Sequence, residues 1–365
     1  MSRKKRIIKW SLISLLCLIL SLAGFGYWFI SLLYPIDTAL TGLESMMPGD
    51  LSYVMENQPE KRGKILAVVT SSDTMGESQK PTGYEMSELA RAWYVFVANG
   101  FEVDVASPQG GKAPVVIDDE DMGVYDHAFL NDSTAQAKVS NTIAMEDVEP
   151  DDYMAIYFVG GKGAMFDFPQ NAPIQSIVRD YYEKGKVVGA VCHGPAALAN
   201  VKLSNGNHLL DGKAICGFTN QEELFLIKDA ASIFPFLLQD KLVANGANFK
   251  AGQMYLENVV HDGNLITGQN PWSTWTLAEA MIKQLGYEPK QRRKTGEENT
   301  VKVLTTFHKQ GYDEAKELIT NYRTVKNAPV NRELLAVHSI LAAMQLDVIK
   351  AIKIIGLLKY AKSLV

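Results

Sequence analysis

The 365-residue chain reads as an α/β protein, a mainly parallel sheet sandwiched by helices, followed by a smaller all-helical extension. Three observations predict this. Short apolar runs recur at Lys64–Thr70, Phe101–Ala106, Tyr153–Val159 and Val187–Val191, as buried parallel strands require. Segments with helical spacing of apolar residues lie between them, several closed by a glycine. Beyond residue 300 no strand-like run remains. Alternating strands and helices place helices on both faces of the sheet, and ligands at the carboxyl ends of the strands.

Taken in order, the chain opens with the cations Arg3, Lys4, Lys5 and Arg6, then carries no charge from Trp10 to Tyr34. About 20 apolar residues cross a bilayer, so residues 1–34 are expected to be a basic N-terminus and a single-pass transmembrane helix, with membrane contact through residues 10–34. The cations place the N-terminus in the cytoplasm and the rest of the chain in the periplasm or another extracytoplasmic space. A cleaved signal peptide is the competing reading, with Ser21-Leu-Ala23 as the cleavage site. Residues 35–62, with Pro35, Pro48 and Pro59, read as a linker, and 63–286 as the catalytic α/β domain.

Within that domain, Lys64–Thr70 is the first strand. Leu89, Trp93, Phe96 and Val97 mark a helix over 87–99 ending at Gly100, and Phe101–Ala106 is the second strand. The polar stretch 107–152 is expected to be loop with one short helix near the site. Tyr153–Val159 is a strand, Ile174, Ile177, Val178 and Tyr181 mark a helix closed by Gly185, and Val187–Val191 is a strand leading into a helix from Pro195. Ala214–Phe218 reads as a strand, Phe234–Asn245 as a helix, Val259–Thr267 as a hairpin around Asp262-Gly263, and Thr274–Leu285 as the last helix. Residues 287–300 read as a second linker and 301–365 as helices. The last of these is basic and amphipathic and packs in a small bundle; contact with a membrane surface is the alternative.

The net charge of −5 argues against nucleic acid as a partner. Three cysteines, Cys17, Cys192 and Cys216, cannot build a disulfide framework. Cys192 is the chemical focus. It follows a buried strand and precedes Gly194 and a helix, the order of a nucleophile elbow. A helix N-terminus there is expected to lower the thiol pKa. A cysteine nucleophile also needs a base and donors for a developing oxyanion. His193 is adjacent in sequence. Its backbone N–H offers one donor, and Gly161, in the run Gly160-Gly-Lys-Gly163, offers a second.

The segments Ala190-Val-Cys-His-Gly-Pro-Ala-Ala-Leu198, Gly160-Gly-Lys-Gly-Ala-Met-Phe-Asp167, Gly217-Phe-Thr-Asn-Gln-Glu-Glu223 and Leu265-Ile-Thr-Gly-Gln-Asn-Pro271 resemble the PfpI-type, class I glutamine-amidotransferase-like superfamily, and within it the glyoxalase III and stress-chaperone branch. The resemblance runs from about Lys64 to Leu285. It implies a flavodoxin-like fold and a catalytic set of Cys192, His193, Glu88 and Glu223. Glu88 would hydrogen-bond the thiolate and Glu223 would orient His193, with Glu85 and Glu222 as the competing carboxylates. Many relatives have His where this chain has Lys162, and an externalised domain is unusual for the family.

The expected activity is a glyoxalase III-like, cofactor-independent and metal-free conversion of 2-oxoaldehydes such as methylglyoxal to hydroxy acids, with protein deglycation as a related activity. Three alternatives stay open: a cysteine amidase or peptidase with a Cys-His-Glu triad, a redox sensor or holdase chaperone with an oxidisable Cys192, and C-terminal helices that dock a membrane partner. The expected partner is thus a small aldehyde or a peptide; assembly as a homodimer is open.

Overall fold

The computed structural model describes residues 3–35, 42–118 and 122–364. They form two compact units: an α/β unit over residues 42–293, and a helical unit in which the N-terminal helix joins the segment from Lys294 onward.

The α/β unit is built on a seven-stranded sheet. Its strands in chain order are β1 (Lys64–Val68), β2 (Glu102–Ser107), β3 (Ile143–Ala144), β4 (Ala155–Phe158), β5 (Val187–Val191), β6 (Val259–Asp262) and β7 (Leu265–Gly268). Across the sheet they run β6-β7-β5-β4-β1-β2-β3. All neighbours are parallel except the β6–β7 hairpin. Strands β4 and β5 are buried throughout and β1 nearly so, which is why they read as unbroken apolar runs rather than alternating ones. The chain starts at β1, steps outward to β2 and β3, then returns to the other side of β1 with β4. That reversal is a topological switch point, where open α/β sheets bind ligands. The fold is flavodoxin-like, as the sequence implied.

Helices cover both faces: α2 (Met86–Ala98), α3 (Val124–Leu130), α4 (Ser133–Ser140), α5 (Ala172–Glu183), α6 (Asn220–Leu226), α7 (Leu238–Ala244) and α8 (Thr274–Gln284). Capping is local and readable. Asn171 Oδ1 accepts from Ile174 N at 2.9 Å to start α5, and Thr219 and Glu222 form a capping box that starts α6.

Four expectations need correction. The stretch 107–152 holds two helices and the edge strand β3, and α3 and α4 bury Ala128, Phe129 and Ala135 in the core. Their weak apolar spacing hid them. Part of the expected linker is core: in the short helix Ser52–Met55, Tyr53 and Val54 are buried. Of Ala214–Phe218 only Ala214–Ile215 pairs, and with Asn248–Phe249 in a separate ribbon. The segment after Cys192 is a five-residue 3₁₀ turn, Gly194–Leu198.

In the helical unit, α1 (Arg3–Ser31) contains a 22-residue apolar stretch, Trp10–Ser31, with mean hydropathy 2.1 and none of it buried. The remaining helices are α9 (Gly296–Lys309), α10 (Tyr312–Thr320), α11 (Arg332–Met344) and α12 (Val348–Ser363). They enclose a core that includes Leu304, Ile319, Leu335, Ile354 and Leu357, all fully buried. The end of α1 is gripped by this bundle. Arg332 Nη1 donates to Leu32 O at 3.0 Å and its Nη2 to Pro35 O, while Lys362 Nζ donates to Ser31 O. Cations on the last carbonyls of a helix satisfy otherwise orphaned acceptors and suit its dipole.

Candidate active site

Register places the site. Phe158 pairs with Ala190 across β4 and β5, so the residues two further along, Gly160 and Cys192, meet at the carboxyl edge beside the switch point. Cys192 has φ 57°, a left-handed conformation that costs a side-chain-bearing residue energy. The surroundings hold it there: Cys192 N donates to Gly268 O at 2.9 Å, and Cys192 O accepts from Phe218 N at 2.8 Å.

Glu88, in the first turn of α2, is fully buried and reaches under this turn. Its Oε2 accepts from Gly160 N at 2.8 Å, and the carboxyl lies near enough to Cys192 for each to act on the other's titration. Gly160 has to be glycine: a Cβ there would lie 2.4 Å from Glu88 Oε2 and 2.7 Å from Cys192 Cβ. Burial above all, then the nearby Glu85, holds the Glu88 carboxyl well above the ordinary range, which favours its neutral form. The Cys192 thiol is also pushed up, by burial first and then by Glu88. The expected lowering by a helix N-terminus is therefore not found. A short 3₁₀ turn replaces the helix, and carboxyls surround the sulfur.

His193 turns back onto its neighbour. Its Nδ1 lies 3.3 Å from Cys192 Sγ and its Nε2 2.5 Å from Glu223 Oε2. Burial raises the Glu223 pKa, but the coulombic attraction and hydrogen bond of His193 outweigh it, and the charge of Lys162 adds to them, leaving the carboxyl below its usual value. An ionised Glu223 can only accept, so Nε2–H donates to it, and whenever the ring is uncharged Nδ1 presents its lone pair to the thiol. The ring lies against Phe218, centroids 4.7 Å apart.

The competing carboxylates go elsewhere. Glu222 is spent on architecture: Oε2 accepts from Thr219 N and Oγ1, and Oε1 from Tyr255 N, Gln269 Nε2 and Asn270 Nδ2, all within 3.0 Å. It ties the start of α6 to the loops that carry Tyr255 and Asn270. Glu85 is the N-cap residue of α2, and its N–H donates to Gly160 O at 3.1 Å. Gly161, at φ 97°, turns the chain beside Glu85. Among the described residues neither the Gly161 N–H nor the His193 N–H donates to another backbone group. Lys162 is half-buried.

Cys216 is no second nucleophile: it is fully buried, its Sγ lies 3.1 Å from Thr267 O, and burial pushes its thiol up to about 12. All three cysteines are free. Among the described residues no group of three His, Cys, Asp or Glu is placed to hold a metal. Sequence reasoning missed the aromatic wall: Phe218 and Phe234 against His193, and Tyr255 against Phe218. Phe218 sat inside a recognised motif; Tyr255 carried no signal, because only folding brings it to Glu222.

Comparison with known proteins identifies the family of the α/β unit. Residues 80–284 match the DJ-1/PfpI family. Glyoxalase 3 of Candida albicans is 32% identical over 233 residues, covering 60% of this chain and 96% of that protein. A glutathione-independent glyoxalase of Saccharomyces cerevisiae is 29% identical, over 60% and 97%. Among solved structures, the rapid encystment protein of Francisella tularensis is 37% identical with a TM-score of 0.58, covering 61% of this chain and 99% of that one. The crystal structure of Candida albicans glyoxalase III is 30% identical with a TM-score of 0.56, over 61% and 97%. With more than half its length matched and the relatives' chains spanned almost end to end, this chain belongs to the DJ-1/PfpI family.

Proposed function

We propose that the α/β unit is a glutathione-independent glyoxalase acting on 2-oxoaldehydes such as methylglyoxal. The observation that carries the reading is the array Cys192–His193–Glu223, with 3.3 Å from sulfur to imidazole and 2.5 Å from imidazole to carboxylate and the buried Glu88 held beside it through Gly160 N, in a chain whose relatives bear that activity in their names.

The chemistry follows from the charges. His193 Nδ1 takes the Cys192 proton as sulfur adds to the aldehyde carbon, forming a C–S bond. The carbonyl oxygen becomes an oxyanion, held by the N–H groups of Gly161 and His193 and protonated to a hemithioacetal. Neutral Glu88 donates a hydrogen bond to the sulfur while it is anionic. His193 then moves the proton from the former aldehyde carbon to the adjacent carbon through an enediol, leaving a thioester. Water hydrolyses it, returning the thiol and releasing the hydroxy acid. No redox partner is needed, since one carbon is oxidised as its neighbour is reduced.

The same Cys-His-Glu geometry also suits amide hydrolysis, so the test uses both substrate classes. The full-length protein in detergent, without glutathione, should convert methylglyoxal to lactate and leave a peptide panel intact. Peptide cleavage without lactate would replace this reading with the hydrolase. We also read Trp10–Ser31 as a membrane span with Arg3–Arg6 on the cytoplasmic side, so that the site faces the extracytoplasmic space; its support is length, apolarity and flanking charge.

A further inference from the structure

The helical unit carries an apolar surface that its own packing leaves uncovered. Helix α12 does bury one face, with Ala351, Ile354, Leu357, Leu358 and Ala361 turned into the bundle. At the closed end of the α11–α12 hairpin, however, large apolar side chains stand in the open. Val337, Ile340 and Met344 follow one stripe of α11, Leu346 sits at the turn, and Ile349 and Ile352 continue on α12. Leu346 is 86% exposed and Ile349 71%. Scattered exposed apolar residues are ordinary; a run of them at one tip marks an interaction surface.

Two features of the helical unit point to what covers it. The open end of the same hairpin, through Arg332 and Lys362, holds the carbonyls that end α1. Helix α11 has 13 residues, so the tip starts roughly 20 Å from the end of the apolar span. Charge points the same way. Helix α12 has four lysines and no acid, Lys350 and Lys353 lie among the exposed isoleucines, and Asp347 is used in capping α12 through Lys350 N at 3.0 Å. Exposed apolar side chains interleaved with lysines suit an interface of acyl chains below and anionic headgroups above.

We propose that the α11–α12 tip inserts into the outer leaflet of an anionic lipid bilayer, the same bilayer that α1 crosses. The helical extension is then a second, peripheral membrane contact that lies the bundle down beside the anchor. This rests on reading α1 as a span, and the test separates the two.

The full-length protein, reconstituted in phosphatidylcholine–phosphatidylglycerol vesicles, is spin-labelled at one exposed cysteine; buried Cys192 and Cys216 stay unlabelled. The wild type is labelled at Cys17 within α1. Cys17→Ser/Leu346→Cys and Cys17→Ser/Ile349→Cys carry the label at the tip, at two sites in case one disturbs folding. Collision with oxygen, which favours lipid, is compared with collision with a water-soluble nickel chelate. The proposal expects oxygen to dominate at Cys17 and at both tip positions, and the chelate to gain at the tip when Lys350→Glu/Lys353→Glu is added. A lipid-facing Cys17 with a chelate-accessible tip overturns this inference and leaves the span intact. A tip shielded from both reagents means that protein covers it, and overturns it too. A chelate-accessible Cys17 overturns the span and the inference with it.

Discussion

Replacing Glu223 by Gln removes the charge that orients His193 while keeping the side chain's size. The Nε2–Oε2 contact of 2.5 Å is buried, with 2% and 4% of the two side chains exposed, so water cannot take the carboxylate's place. A hydrogen bond to a charged partner is worth about 1.5–3 kcal/mol, which at 1.36 kcal/mol per decade is a loss of roughly 10- to 150-fold. The loss should fall on kcat, because the base acts in the transition state and not on the bound aldehyde. Lactate formation from methylglyoxal, measured without glutathione, reads it. Stability supplies an independent check. The Glu223 pKa is lowered in the fold, so its stabilisation is present above its unfolded value, about 4.3, and is lost as pH falls through the folded one. The melting-temperature gap between wild type and variant should therefore be widest near neutrality and close in acid. A folded variant with wild-type kcat, or a gap that widens in acid, would refute the assigned role.

Gly160→Ala puts a methyl 2.4 Å from Glu88 Oε2 and 2.7 Å from the backbone oxygen of Val191; it should cost about 1–3 kcal/mol in thermal or denaturant unfolding and about 10²-fold in kcat/KM through misplacement of the sulfur. Because the Cys192 thiol is pushed up, iodoacetamide should alkylate it more slowly at pH 7 than an exposed cysteine, with a rate that climbs through alkaline pH; fast alkylation that plateaus below pH 7 contradicts this. In the helical unit burial lowers the His338 pKa to about 3, helped by His308 and Lys350. The unfolded chain therefore binds the extra proton below about 6.5, and stability should fall with pH from there toward 3. Amide exchange of α11 should record that slope, flattened in His338→Gln.

The central strands and the elbow were legible because their chemistry is local. β1, β4 and β5 are buried on both faces, so composition alone marks them, and Cys192, His193 and the glycine run lie next to strand ends. What the sequence withheld depends on the fold. α3 and α4 bury only narrow stripes such as Ala128, Phe129, Ala135 and Val139, too sparse to show a period. Tyr53 reads as linker until Asn99 Nδ2 meets its hydroxyl at 3.2 Å. Glu222 and Glu223 are indistinguishable as neighbours in sequence; the capping box turns the first toward Thr219 and leaves the second for His193. The direction of the Cys192 shift is hidden from the sequence for the same reason. A helix N-terminus would lower the thiol pKa, but here a 3₁₀ turn, burial and the distant Glu88 decide the outcome.

The central claim is that Cys192 forms the bond to the aldehyde, and wild type against Cys192→Ala tests it most directly. With equal amounts of folded full-length protein, methylglyoxal and no glutathione, the wild type should form lactate and the variant none above the uncatalysed background. Equal lactate from both, or none from a folded wild type, would contradict it.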